Sequence, residues 1–312
     1  MVLAAYGRSS GFCVDPVEKK PLHHFYPGTT VLSFGTAGCN LSCKFCQNWD
    51  ISKARDMART ADEASPEAIA AAAKAAGCAS VAFTYNDPTI FAEYAIDTAE
   101  ACHALGLKAV AVTAGYIHAA PRAEMYARMD AANVDLKAFT EDFYRRQTAS
   151  ELAPVKETLE YLVKETTVWT EITTLLIPGL NDSDRELDEL SGWVSSALGP
   201  DVPLHFSAFH PDYRMTDIPP TPPETLARAR AIARRAGLRY VYTGNVQDVA
   251  GGTTSCPSCG AEVVVRDGYE ILGSRLGPSG ACRACGTVIP GRFEGEVQKA
   301  RRRRVRLRVS EV

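Results

Sequence analysis

Short apolar and β-branched runs alternate with longer stretches of helical periodicity from about residue 30 to 245. The runs at 30–34, 80–84, 108–113, 133–136, 168–177, 204–208 and 239–242 predict strands. The stretches between them carry helix start and stop chemistry. Ser65-Pro66-Glu67 is a cap followed by proline at the first helical position. A helix from about Ile90 to Leu105 stops at Gly106. Pro121 opens a third helix and Pro154 a fourth, Asp182 and Asp184 precede a fifth, and Thr221-Pro222-Pro223-Glu224 is a capping box before a sixth. This alternation predicts parallel strands with helices outside them. No Gly-x-Gly-x-x-Gly follows the first strand, which argues against a dinucleotide fold. Polar residues gather instead just after strand ends, at Asn86 and Asp87, Asp135 and Lys137, Asn181 and Asp182, and His210. That placement is the habit of barrels. The expected class is α/β, a partial (β/α)6 TIM-like barrel with a small C-terminal zinc-ribbon-like domain.

The 312 residues suit one large α/β unit with an appendage. We expect an N-terminal extension (1–29), a barrel (30–248), a flexible Gly/Thr-rich linker (249–255), a four-cysteine ribbon (256–292) and a basic tail (293–312). The tail holds the run Arg301-Arg302-Arg303-Arg304, and the alternation of Val305, Leu307 and Val309 suits a short edge strand. Hydrophobic residues at 46% and charged residues at 23% are ordinary for a globular protein. No apolar run approaches the roughly 18 residues of a transmembrane helix. The first ten residues lack the layout of a signal peptide, so a cytoplasmic location is expected. The net charge of −3 argues against a membrane or polyanionic partner and makes nucleic-acid binding a poor reading.

Ten cysteines in a reducing compartment need another reason than disulfides. Cys13, Cys78 and Cys102 are scattered and read as small packing residues. The rest cluster, which suggests metal. Cys39, Cys43 and Cys46 lie within eight residues of a loop after the first barrel strand. Three thiolates on a 4Fe–4S cluster leave one iron without a protein ligand, and an open position makes a metal site reactive. Further on, Cys256-Pro257-Ser258-Cys259-Gly260 and Cys282-Arg283-Ala284-Cys285-Gly286 form paired Cys-x-x-Cys-Gly hairpins. Zinc on Cys256, Cys259, Cys282 and Cys285 is the favoured reading, with rubredoxin-type iron or an auxiliary cluster as the alternative. So small a ribbon has too little core to fold alone, and metal would supply its stability.

The Cys-x-x-x-Cys-x-x-Cys spacing with Phe45 before the last cysteine resembles the signature of radical SAM enzymes. The wider run from Gly35 to Trp49 is similar to one branch, the AmmeMemoRadiSam system radical SAM proteins, relatives of the pyruvate formate-lyase activating enzyme. Asp15-Pro16-Val17-Glu18-Lys19-Lys20-Pro21-Leu22, Phe83-Thr84-Tyr85-Asn86-Asp87-Pro88-Thr89 and His205-Phe206-Ser207-Ala208-Phe209-His210-Pro211 resemble the same branch. The first of these lies closer to the chain start than in relatives, as in a chain lacking an N-terminal segment. The resemblance implies an oxidoreductase that binds S-adenosylmethionine (SAM) at the open iron. One electron then splits the sulfonium, and a 5′-deoxyadenosyl radical abstracts hydrogen from the substrate. The cofactor carries this chemistry, and no catalytic residue is expected beyond the cluster ligands.

Cofactor contacts follow from the same resemblance. Tyr85, Asn86 and Asp87, ahead of Pro88, stand where the family has a Gly-Gly-Glu-Pro-like turn for the methionine amino group. Both glycines are replaced and the acid is shorter. Lys137 is matched to the SAM carboxylate, with Asp135 fixing it. Thr113 matches a Thr-Asn-Gly turn in which Ala114 departs from the pattern. Ile177, before Pro178-Gly179, and His205 are matched to the adenine. The implied substrate is a protein or peptide, as for the activating enzymes. The alternatives are a small molecule defined by Memo-type partner proteins and, outside the class, a metal-stabilised binding module. A flavodoxin- or ferredoxin-type protein is the implied electron donor.

Overall fold

A computed structural model describes residues 3–54, 62–297 and 305–309, so the arginine run at 301–304 lies outside the described residues. The N-terminal part contains strands β1 (Arg8–Ser9), β2 (Phe12–Pro16) and β3 (Thr30–Phe34), helix α1 (Trp49–Ser52) and β4 (Asp62–Glu63). Then follow α2 (Pro66–Ala75), β5 (Ser80–Phe83), α3 (Ala92–Ala104), β6 (Lys108–Thr113), α4 (Ala119–Tyr126) and β7 (Ala131–Asp135). The series continues through α5 (Glu141–Phe143), α6 (Ala153–Glu165), β8 (Trp169–Leu176), α7 (Asp184–Trp193), β9 (Leu204–Ala208), α8 (Pro223–Arg235) and β10 (Val241–Gly244). The C-terminal part holds α9 (Val249–Gly252), β11 (Thr254–Ser255), β12 (Glu262–Asp267), β13 (Glu270–Ser274) and β14 (Val305–Leu307).

The main sheet has the order β10-β9-β8-β7-β6-β5-β3-β2-β14. Every pairing from β3 to β10 is parallel, and β2 and β14 add antiparallel strands beyond β3. Strands buried on both faces need continuous apolar runs, and every residue of β5 and of β9 is buried. Helix signals act where the sequence places them. Ser65 accepts a hydrogen bond from the Ala68 amide, and Ser183 caps α7 through the Glu186 amide. The capping box at Thr221 does not form. Its hydroxyl donates to the Leu176 carbonyl and accepts from the Phe209 amide, tying strand ends together, and Pro222 caps α8 without a side-chain bond. The alternation at 305–309 does make an edge strand, β14 on β2.

The segment expected as a flexible linker is ordered. Gly251 and Gly252 are buried in α9, and the Gly251 amide donates to Asp248 Oδ1. A Cβ on Gly251 would fall 1.8 Å from Thr243 Oγ1, so this glycine serves close approach rather than freedom. Behind it, β11, β12 and β13 form an antiparallel sheet. Its core residues Cys256, Val263, Val264, Ile271, Leu276 and Ile289 pack with Tyr240 and Tyr242 from the last barrel strand region. The ribbon therefore shares a core with the barrel. No helix among the described residues is long and apolar enough to cross a membrane.

The N-terminal segment turns back onto the inward face of the strands. Val17, Leu22 and Phe25 pack on Val31, Ala82, Val110 and Ala131. Above this layer Glu171 of β8, fully buried, accepts the His23 and His24 amides at 3.0 and 2.8 Å, Trp169 Nε1 at 3.0 Å, and pairs with His205 Nε2 at 2.7 Å. Burial would push this carboxyl up. The hydrogen bond and charge of His205, then the charge of His24, outweigh burial and hold it below the usual range. A lowered folded value means that stability is present above the unfolded carboxylate range and is lost as pH falls through the folded value. Glu171→Leu should lower the unfolding free energy by about 3 kcal/mol or more, since it strands several buried donors. Urea unfolding across a pH series checks both points, with Glu171→Gln expected to flatten the acid limb.

Candidate functional site

The carboxyl ends of the parallel strands surround a cavity of about 590 Å³. Its walls include residues of the loop after β3 and of the loop after β10, the two ends of the parallel run. The sheet therefore curls until its ends face one another, as a partial barrel requires. Cys39, Cys43 and Cys46 line this cavity together with Tyr85, Asn86, Asp87, Thr113, Asp135, Lys137 and His205.

The cysteine loop is held from both sides. Asn86 Oδ1 accepts the Thr36 amide, and its Nδ2 donates to the Gly38 carbonyl at 2.8 Å and to Thr36 Oγ1. Gly35 beside it has no room for a side chain, since a Cβ would sit 2.3 Å from the Thr84 carbonyl oxygen. On the far side the Ser42 and Lys44 amides donate to the Thr148 and Gln147 carbonyls, the last residues of a π-helical turn that continues α5. Phe45 is buried against Phe143, which accounts for the aromatic before the last cysteine. Ser52 Oγ lies 3.1 Å from Cys46 Sγ.

The turn after β5 is braced rather than open. Tyr85 adopts a left-handed φ of 73° where the family pattern has glycine, a conformation that costs free energy in a non-glycine residue. The Lys20 ammonium lies 5.1 Å from its ring centroid, and its hydroxyl reaches Asp15 Oδ2 at 3.4 Å. Asp87 Oδ1 accepts the Thr89 amide, and Oδ2 accepts Thr113 Oγ1 and the Ala114 amide. The side chains of Asn86, Asp87 and Thr113 thus tie neighbouring strand ends together.

Lys137 sits beside the cysteine loop with its side chain 12% exposed and its ammonium 2.7 Å from Asp135 Oδ2. Burial would lower its affinity for the proton, but Asp135 and Cys43 hold the ammonium charged. Burial in turn pushes the Cys43 thiol up to about 11, opposed by Lys137. Asn181 fixes the Lys137 backbone by donating to its carbonyl at 2.7 Å.

One of the matched residues lies away from the cavity wall. Ile177 is not among the cavity residues but is fully buried in the core, its amide donating to Asn181 Oδ1. The Ile-Pro-Gly turn wraps around Asn181, which turns the isoleucine inward. The cavity also has walls that the site assignments left out: Glu18, Lys19 and His23 from the N-terminal segment, and Gly268 and Tyr269 from the ribbon hairpin. The signal for the first group was Glu18-Lys19-Lys20, charged residues just ahead of the first barrel strand. Nothing in the local sequence marked Tyr269.

The two cysteine groups differ in span. The ribbon thiols Cys256, Cys259, Cys282 and Cys285 all lie within 4.8 Å of one another, with Cys256–Cys285 at 3.6 Å and Cys259–Cys282 at 3.8 Å. Metal–sulfur bonds of about 2.3 Å at the tetrahedral angle place two thiolates about 3.8 Å apart, so this quartet is positioned to bind a single metal ion. Among the described residues, the loop trio does not gather within that span. Its wider spread along one cavity wall suits a multi-iron cluster.

Residues 34–190 match the family model of the Radical SAM superfamily. An uncharacterized protein of Methanocaldococcus jannaschii is 40% identical over 285 residues, covering 91% of this chain and 84% of the relative. Among solved structures, a radical SAM methyltransferase from Sphaerobacter thermophilus is similar at a TM-score of 0.56 and 19% identity, over 71% of this chain and 68% of that one. Streptococcus suis SuiB bound to its precursor peptide SuiA is similar at 0.54 and 15% identity, over 73% of this chain and 51% of that one. At such identities these two show a shared fold. By its cysteine loop, its curled parallel sheet and the extent of the family match, this chain belongs to the radical SAM superfamily.

Proposed function

We propose that the cavity holds SAM between the Cys39–Cys46 loop and Lys137, and that hydrogen is abstracted there from a glycyl or other site of a protein or peptide, as the activating enzymes do. One observation carries this reading: three loop thiols, the Asp135–Lys137 pair and the 85–88 turn share one cavity. Membership of the superfamily implies a 4Fe–4S cluster and SAM. When bound, these supply reductive cleavage of the sulfonium to methionine and a 5′-deoxyadenosyl radical.

The chain's own residues position and shield that chemistry. Lys137, kept charged and aimed by Asp135, offers an ammonium to the SAM carboxylate. The 85–88 turn is rigid because its side chains are spent on bracing, which leaves main-chain carbonyls as the acceptors for an ammonium. His205, held by Glu171, presents its ring to the cavity from β9.

A free small molecule is the second reading. A cavity of about 590 Å³ falls within the usual range of small-ligand sites, and polar groups of the N-terminal segment and ribbon help wall it. Further parts of the proposal are zinc in the ribbon, a flavodoxin- or ferredoxin-type electron donor, Memo-type partner proteins and a cytoplasmic location.

Lys137→Ala should weaken SAM binding about 10- to 100-fold, the loss of one charge-assisted contact, with iron content unchanged. Calorimetry with iron analysis checks this, and unchanged affinity would return Lys137 to a structural ion pair. For the substrate, deuterated candidate peptides should transfer deuterium into 5′-deoxyadenosine, read by mass spectrometry. Transfer from free small molecules and from no peptide would select the second reading.

A further inference from the structure

The ribbon does more than hang from the barrel. Arg266, on β12, has no exposed surface. Its NH2 donates to the His23 carbonyl at 2.7 Å, and its NH1 donates to Thr254 Oγ1 at 2.8 Å and the Gly252 carbonyl at 3.3 Å. Its Nε lies 3.7 Å from Glu18 Oε1. One side chain thus joins the ribbon to the N-terminal segment that walls the cavity.

The bonds beyond it have a fixed direction. A guanidinium can only donate, so the Thr254 oxygen accepts from Arg266, and the same oxygen lies 2.8 Å from Tyr242 Oη. The Pro290 carbonyl can only accept, so His24 Nδ1 donates to it at 2.6 Å, Nε2 of the neutral ring accepts from Tyr242 Oη at 2.6 Å, and the Thr254 proton is left to point to Tyr242 Oη. The imidazole is neutral near pH 7, as this order needs, because burial pushes it down to about 4. This series of bonds begins at Thr254, two residues before Cys256, and ends at Pro290, five residues after Cys285, so its two ends lie on the segments that carry the two cysteine pairs. It runs through His24, whose amide, like that of His23, is held by Glu171 beside His205.

A second observation concerns the character of this wall. Glu18 Oε2, His23 Nδ1 and Arg266 Nε are buried without a hydrogen-bond partner, and Glu18 and His23 line the cavity. Unpaired buried polar atoms are costly, and those of Glu18 and His23 leave this wall with polar groups open to a further contact. The ribbon turn at Gly268 and Tyr269 continues it.

We propose that the four-cysteine ribbon and the N-terminal segment together form the substrate-facing wall of the reaction cavity, and that Arg266 is the positioning residue through which the ribbon metal fixes that wall. The word substrate rests on the function proposed above; the coupling of metal, Arg266 and wall does not.

The test is hydrogen–deuterium exchange on the full, reconstituted protein, comparing wild type, wild type stripped of ribbon metal by a chelator, Cys282→Ser and Arg266→Met. Loss of the metal or of Arg266 should speed exchange in residues 17–28 on the order of tenfold or more, as a local opening does. Exchange in α2 and α3 and the dissociation constant for SAM should stay within about twofold of wild type. Arg266→Lys, which keeps the charge beside Glu18, should recover part of the protection. Exchange at 17–28 unchanged while the stripped ribbon exchanges freely would overturn the proposal, because the ribbon would then be an independent appendage. A uniform rise across the barrel would overturn it too, by showing general destabilisation. If Arg266→Met does not fold, the chelated wild type gives the same decision. Absence of SAM binding by the wild type would sink the function reading while leaving the exchange result to decide the wall.

Discussion

The structure depends on one buried carboxylate. A partial barrel leaves its inward face open at one side, and something must fill it. Glu171 solves this by capturing two consecutive amides of the N-terminal segment, at His23 and His24, and a ring nitrogen of His205. A carboxylate in that position is costly unless its lone pairs are used, and here four donors use them. Once residues 17–25 are fixed inside the strands, the cavity has a floor, Lys20 and Asp15 reach the strained Tyr85, and Arg266 has a carbonyl to hold.

The cavity above that floor divides by chemistry. On one side stand the loop thiols with the Asp135–Lys137 pair, where charge is kept and aimed. On the other stand Glu18, His23 and the ribbon hairpin, polar and enclosed. The first arrangement suits a cofactor with a carboxylate and an ammonium. The second is the wall proposed above to face the substrate. Asn86, Asp87 and Thr113 between them act as struts, so the geometry of the loop does not depend on what is bound.

Local chemistry was the part legible in sequence. Strands at 30–34, 108–113 and 204–208 form with those bounds, because their periodicity and flanking breakers are local signals. The cysteine groups were legible for the same reason: spacing along the chain fixes what a loop or a hairpin can gather. That Ile177 faces the core was not legible, because its orientation is decided by Asn181, whose triple role with Leu175, Ile177 and Lys137 is a tertiary fact. The glycines at 251 and 252 read as freedom but serve close packing against Thr243 and Arg266, neighbours that no local pattern reveals. The ribbon as a cavity wall was invisible because its partners lie far away in sequence, as Arg266 and His23 do.

The central claim is that the loop of Cys39, Cys43 and Cys46 supports reductive cleavage of SAM in this cavity. The most direct measurement is chromatographic detection of 5′-deoxyadenosine after anaerobic reconstitution with iron and sulfide, reduction with dithionite and addition of SAM. The account predicts 5′-deoxyadenosine and methionine in equal amounts from the wild type and none above background from Cys43→Ala. Equal product from both proteins, or none from a wild type carrying a full cluster, would contradict it.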